Sequence, residues 1–193
     1  MYVDFMSSTH KQQKRDYLAR VNDLEFPKAK AAELAKKFEF DYWDGDRRIN
    51  YGGYKYLEGW WTPIAEKMIE FYKLDNNSRI LDVGCGKGYL LYEFKKLLPG
   101  AIISGLDRSI YAIENSKEEV RVNLTLGRAS KLPYDDNSFD FVFSINTLHC
   151  LHNFELENAL SEIERVSAKH KYLCVESFRN EVEKANLLYW QVT

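Results

Sequence analysis

The chain has 193 residues, 45% of them hydrophobic, and its 27 Lys and Arg against 29 Asp and Glu leave a formal net charge of -2. That composition excludes a disordered or low-complexity chain and allows a sizeable core, in one main domain with at most an appended helical segment. The near-neutral balance gives no bulk attraction to polyanions, so nucleic acid is not favoured as a partner, and with no apolar run near about 18 residues and no signal-type opening, neither is a membrane.

Cys85, Cys150 and Cys174 lack the spacing of metal ligands, so no metal is expected; they suit reduced, buried thiols in a cytoplasmic protein. From the start, Met1 to Met6 reads as a loose or docking end. Ser7 or Ser8 opens a charged helix through Lys14, Tyr17, Leu18 and Val21. Pro27 fits the first turn of a second, with Ala31, Leu34, Ala35 and Phe38 on one face. These helices either brace a sheet edge, the preferred reading, or cap a substrate site.

Asp41 to Trp61 mixes aromatics, glycines and charges with neither helical nor strand period, which marks an ordered loop whose rings need something to pack on. Tyr51 and Tyr54, flanking Gly52-Gly53, either wedge that loop in place or present aromatic faces to a cationic ligand. Residues 1–61 thus form an N-terminal helical and aromatic segment, and 62–193 the main domain.

Thr62-Pro63 reads as a cap and first helical position before Ile64, Met68, Ile69 and Tyr72. Next come Ile80-Leu81-Asp82-Val83, an apolar strand, and Gly84-Cys85-Gly86-Lys87-Gly88, a turn that passes straight into a helix carrying Leu90, Leu91, Phe94, Leu97 and Leu98 at helical spacing. Glycines at such a turn permit backbone conformations closed to other residues and let a ligand lie against the main chain, beside the positive end of a helix. A second strand, Ile102 to Leu106, ends in Asp107 roughly 20 residues after the glycines, where a ribose-binding acid is expected. A helix Ile110 to Glu119 capped by Ser109, a third strand Val122 to Leu126, a fourth strand Phe139 to Ile145, a helix capped by Asn153 with Leu156, Leu160, Ile163 and Val166 on its buried face, and a fifth strand Tyr172 to Val175 follow. Alternating strands and helices predict an α/β, Rossmann-like parallel sheet with helices on both faces. The spacing is GxGxG rather than the dinucleotide fingerprint GxGxxG, whose last glycine falls on Tyr89.

LDVGCGKG, GLD and LPYDDNSFDFVFSINTLH, in that order over Arg79 to His152, resemble the successive motifs of class I S-adenosylmethionine-dependent methyltransferases. The resemblance implies S-adenosyl-L-methionine as cofactor and S-adenosyl-L-homocysteine as product, with methyl transfer to an oxygen or nitrogen of a small-molecule substrate. It assigns cofactor contacts to Asp82, Gly84, Cys85, Gly86, Gly88, Asp107, Arg108, Ser144 and Asn146, with Tyr51 and Tyr54 as added candidates. Relatives often carry an adenine-binding acid where this chain has Arg128, a donor-only side chain. Adenine recognition then falls to backbone groups at Ala129 and Ser130, or to Asp135 or Asp136.

For catalysis, His149 is the first candidate base, since imidazole titrates near working pH and follows the fourth strand closely. Glu176 and His152 rank below it, and Arg179 suits an acidic substrate or a surface ion pair. Family members usually add two antiparallel strands after the fifth; Asn180 to Thr193 instead reads as one amphipathic helix. A fifth strand left at the edge favours a homodimer. The alternatives are a cofactor-binding module without turnover and, on weaker grounds, a nicotinamide oxidoreductase.

Overall fold

The computed structural model describes residues 3–6 and 16–193. They form two compact units, one of residues 3–6 with Tyr56–Val175, the other of residues 16–55 with Glu176–Thr193. In chain order the helices are α1 (Tyr17–Val21), α2 (Lys28–Ala35), α3 (Phe40–Trp43), α4 (Thr62–Tyr72), α5 (Tyr89–Leu97), α6 (Ile110–Glu114), α7 (Glu118–Arg121), α8 (Asn153–Val166) and α9 (Glu181–Trp190). The strands are β1 (Arg79–Val83), β2 (Ile102–Asp107), β3 (Leu124–Leu126), β4 (Phe139–Ile145) and β5 (Ser167–Cys174).

The first unit is one sheet of five strands in the order β3-β2-β1-β4-β5, every ladder parallel. β1 lies at the centre because both of its faces are apolar. Ile80 enters a core with Met68 of α4 and Leu91 and Phe94 of α5, while Leu81 and Val83 enter a second core with Ala159, Ile163 and Val166 of α8. Helices therefore cover both faces, as the alternation of elements predicts. The winding reverses between β1 and β4, and such a reversal opens a crevice beyond the carboxyl ends of the strands.

At the other end, Asp140 fastens the amino ends of β1, β4 and β5. Its carboxylate accepts from the Arg79 amide at 2.9 Å and Nε at 3.3 Å, and meets Lys169 Nζ at 3.0 Å. Burial pushes that carboxyl up, but these donors outweigh it and hold it at about 2.

Several boundaries differ from the sequence expectation. The helix read as Ile110 to Glu119 is two short helices, because the Lys117 amide between them donates to Lys87 O at 3.0 Å and Arg121 donates to Ser116 O at 2.8 Å. β5 starts at Ser167, directly after α8, not at Tyr172; its Lys169 and Lys171 hid it, and an edge strand tolerates such charges. The N-cap of α8 is His152, not Asn153: the imidazole accepts from the backbone of Glu155, whose carboxylate accepts in return from the His152 amide at 3.5 Å. The expected cap at Ser7 or Ser8 lies outside the described residues. Phe5 and Met6 are buried in the first unit, with the Phe5 ring 5.0 Å from that of Tyr172.

The second unit holds α1, α2, α3 and α9. Asp16 caps α1 and Asn180 caps α9, each accepting a backbone amide three residues on at 2.9 Å. Asp41 to Trp61, read as loop, begins with the turn of helix α3, whose Tyr42 and Trp43 are buried. Tyr51 stacks on Trp43 at 5.5 Å, and Tyr54 lies 4.6 Å from Tyr51.

Candidate functional site

The turn after β1 takes three left-handed glycines, with φ of 86° at Gly84, 53° at Gly86 and 72° at Gly88. At Gly84 a side chain fails twice, through that conformation and because an added Cβ would sit 2.1 Å from Thr147 Oγ1. Thr147 follows β4 and donates to Gly84 O at 3.3 Å, so the ends of β1 and β4 interlock at the crevice. The amides of Gly84 and Cys85 both donate to Leu106 O, at 2.7 and 3.1 Å. That of Gly86 donates to Asp107 Oδ2 at 2.8 Å. The turn thus spends its own N–H groups on holding its shape. α5 begins beyond Gly88 with no side-chain cap, so the positive end of that helix faces the turn without an anionic neighbour from its own cap.

Asp107, at the carboxyl end of β2, is buried and held from both sides: Oδ2 by Gly86 and Oδ1 by the Ser109 amide at 2.8 Å. Burial pushes its carboxyl up, against the pull of those two amides. Asp82 is buried as well. Burial, then the neighbouring Asp107, push it well above the ordinary carboxylate range. The Cys85 thiol lies in the core with Leu91, within 2.8 Å of where a Cβ on Gly105 would stand, and burial pushes it well up.

Ser144 is fully buried, and its hydroxyl donates to Val83 O at 2.7 Å, bracing β4 against β1. Exposed Asn146, with φ of 53°, donates its amide to Cys174 O at 2.8 Å. Arg108 is exposed, Ala129 buried and Ser130 half-buried. Arg128 is 67% exposed and meets Glu155 at 3.3 Å, so the residue standing where an acid was expected is committed to α8. Of the two alternatives to it, Asp136 is paired with Arg165 at 2.9 Å.

His149 sits half-buried in a 3₁₀ turn, Leu148–Cys150, just past β4. His152 is spent as the cap of α8. Arg179 forms an ion pair with Glu183 at 2.6 Å on the surface. Glu176, Tyr51 and Tyr54 belong to the second unit, the tyrosines within its aromatic cluster. Turn glycines, Asp82, Asp107, Ser144, Asn146 and His149 all lie at the carboxyl ends of β1, β2 and β4.

Two features had no place in the sequence reading: Thr147, which closes on Gly84, and the pair Glu162 and Arg165, which grips the stretch after β3. An acid and a base three apart on a helix are visible in sequence, but so common that they single out nothing.

Residues 74–192 match a family model described as a methyltransferase domain. An uncharacterised methyltransferase of Schizosaccharomyces pombe, C1B3.06c, is 32% identical over 129 residues, 60% of this chain and 45% of its own. A 24-methylenesterol C-methyltransferase of Arabidopsis thaliana is 28% identical over 136 residues, 64% of this chain and 37% of its own. The chain thus spans less than half the length of both. Among solved structures, a proposed S-adenosyl-L-methionine-dependent methyltransferase of Methanococcus maripaludis shares the fold with a TM-score of 0.53 at 17% identity, over 93% of this chain and 73% of its own.

Proposed function

Since this chain belongs to the methyltransferase-domain family, of the class I S-adenosylmethionine-dependent type, we propose that it transfers a methyl group from S-adenosylmethionine to an oxygen or nitrogen of a small metabolite. The observation that carries this reading is Asp107, fixed by two amides at the end of β2 beside a turn that Thr147 closes to side chains. Asp82 supports it, being a second buried acid beside Asp107 whose charge an ammonium group would offset.

In this reading Asp107 accepts from the ribose hydroxyls. The glycine turn and α5 receive the amino-acid end, with Asp82 and carbonyls near Ser144 to Asn146 facing its ammonium, and Arg108 borders the sugar. Backbone at Ala129 and Ser130 faces the adenine. The bound sulfonium supplies an activated methyl carbon and a thioether leaving group. The protein's share is alignment of acceptor, methyl and sulfur, which can account for much of the acceleration. If the acceptor is a hydroxyl, His149 takes its proton as the new bond forms. A cytoplasmic location belongs to the same reading, with Cys85, Cys150 and Cys174 as thiols. The sterol C-methyltransferase among the relatives favours a carbon acceptor as the second reading.

Calorimetry with S-adenosylhomocysteine tests the cofactor, and a metabolite screen for methyl uptake tests turnover. Binding without turnover on any acceptor class leaves an inert module, and binding of a nicotinamide instead overturns the reading. His149→Ala is expected to lower turnover by about 10²-fold or more with cofactor affinity unchanged. Undiminished turnover ends its candidacy as base.

A further inference from the structure

The stretch between β3 and β4, Gly127 to Ser138, forms no helix or strand, and its only ladder contact among the described residues is an isolated bridge between Arg128 and Lys131. It starts beside Asp107, since the Gly127 amide donates to Asp107 O at 2.9 Å. What fixes the rest is α8. The Arg165 guanidinium donates to Tyr134 O at 2.7 Å, Leu132 O at 3.0 Å and Asp136 Oδ1 at 2.9 Å. Glu162, one turn earlier, accepts from the Leu132 amide at 2.7 Å and from Arg165 Nε and Nη2 at 2.7 and 2.8 Å. The Arg165 carbonyl takes the Asn137 amide at 2.9 Å. Two side chains and one carbonyl of a single helix therefore hold the stretch by its own main chain at Leu132, Tyr134 and Asn137. A rigid, planar fork of donors suits this, whereas an ammonium cannot reproduce it.

We infer that Glu162 and Arg165 are positioning residues for purine recognition: they fix the main chain of Ala129 and Ser130 so that backbone groups can read the adenine edge, where Arg128 cannot. The inference rests on the cofactor reading above. Three observations support it. Arg128, at the position in question, is turned to Glu155 on the same helix. Leu132 and Ala129 are both buried in the core that contains Ile163 and Val166 of α8, so the same helix anchors the stretch on either side of Ser130. The pair is also tightly coupled electrostatically: the Arg165 side chain holds the Glu162 carboxyl below its ordinary value.

The test compares S-adenosylhomocysteine with its inosine counterpart, in which a 6-oxo group replaces the amine and reverses the hydrogen-bonding edge. Affinities for both are measured by calorimetry on the full chain, in wild type, Arg165→Met and Arg165→Lys. The wild type is expected to prefer the adenine form by at least about tenfold, the loss from one unmet buried partner. Arg165→Met should lose most of that preference, with Arg165→Lys recovering part of it. General destabilisation would weaken both ligands equally, so an unchanged ratio in Arg165→Met overturns the inference. If that variant does not fold, Glu162→Gln carries the same comparison with the same two outcomes. A wild type that binds both ligands equally overturns the clamp's role alone; one that binds neither overturns the cofactor reading and this inference together.

Discussion

The turn after β1 and the stretch after β3 lie along the same edge of one sheet and are held in opposite ways. The turn is shaped mainly from within: its glycines adopt left-handed backbone, its amides bond to the neighbouring strand and to Asp107, and from outside Thr147 and the Lys117 amide reach in. The stretch after β3 has no such internal design and is gripped by side chains of α8, chiefly Arg165 and Glu162. A turn held by its own backbone tolerates almost no change of residue, whereas a stretch gripped through its main chain tolerates most changes except in the grip.

The largest effect expected is at Gly84. Alanine there combines left-handed strain of about 1–3 kcal/mol with overlap onto Thr147 costing about 1–3 kcal/mol. Gly84→Ala should therefore lower the thermal midpoint sharply and abolish binding of S-adenosylhomocysteine; a variant with wild-type stability would show the turn to be less constrained than described. Next is Asp107→Ala, which strands two amides and removes the proposed acceptor of the sugar hydroxyls. Affinity for S-adenosylhomocysteine should fall by about 1–3 kcal/mol, and unchanged affinity would remove Asp107 from the site.

Asp82→Asn should act in the other direction on the empty protein. An acid whose folded-state pKa is raised contributes stability that is full below the ordinary Asp value and lost as pH rises through the folded value. The asparagine variant should then melt higher at neutral pH by at least about 2 °C, the shift that about 1 kcal/mol gives a domain of this size. That gain should vanish below about pH 4, where both forms are neutral. A gain independent of pH would mean that Asp82 is not the group responsible. The smallest effect belongs to the stretch after β3. Arg128→Ala removes one exposed ion pair worth about 0–1 kcal/mol; a larger loss of stability or cofactor affinity would show that Arg128, and not Arg165, is the grip.

The same contrast explains what could be read in the sequence. β1, β2 and β4 are apolar runs ending at glycines or turn residues, and the shape of the turn after β1 is encoded in the residues that form it, so Gly84, Gly86, Gly88, Asp82 and Asp107 were all legible. The stretch after β3 is ordered by bonds from about thirty positions away to main-chain carbonyls and an amide, groups that nearly any residue carries, and such bonds leave no local pattern. Thr147 escaped for the same reason. Lysines interrupt the apolar run of β5 and hide its first half, and the helix after Ser109 reads as continuous because its break is imposed from outside, by Lys87 O. His152 looked like chemistry and proved to be a cap, a role that Asn153 seemed better suited to fill.

β5 starts at the residue after α8 ends, and Arg165 sits on the last turn of that helix. With no spare residue at this joint, the rim strand is joined directly to the turn of helix that carries the guanidinium holding Leu132 and Tyr134. A shift of β5 along its ladder is therefore expected to loosen that hold.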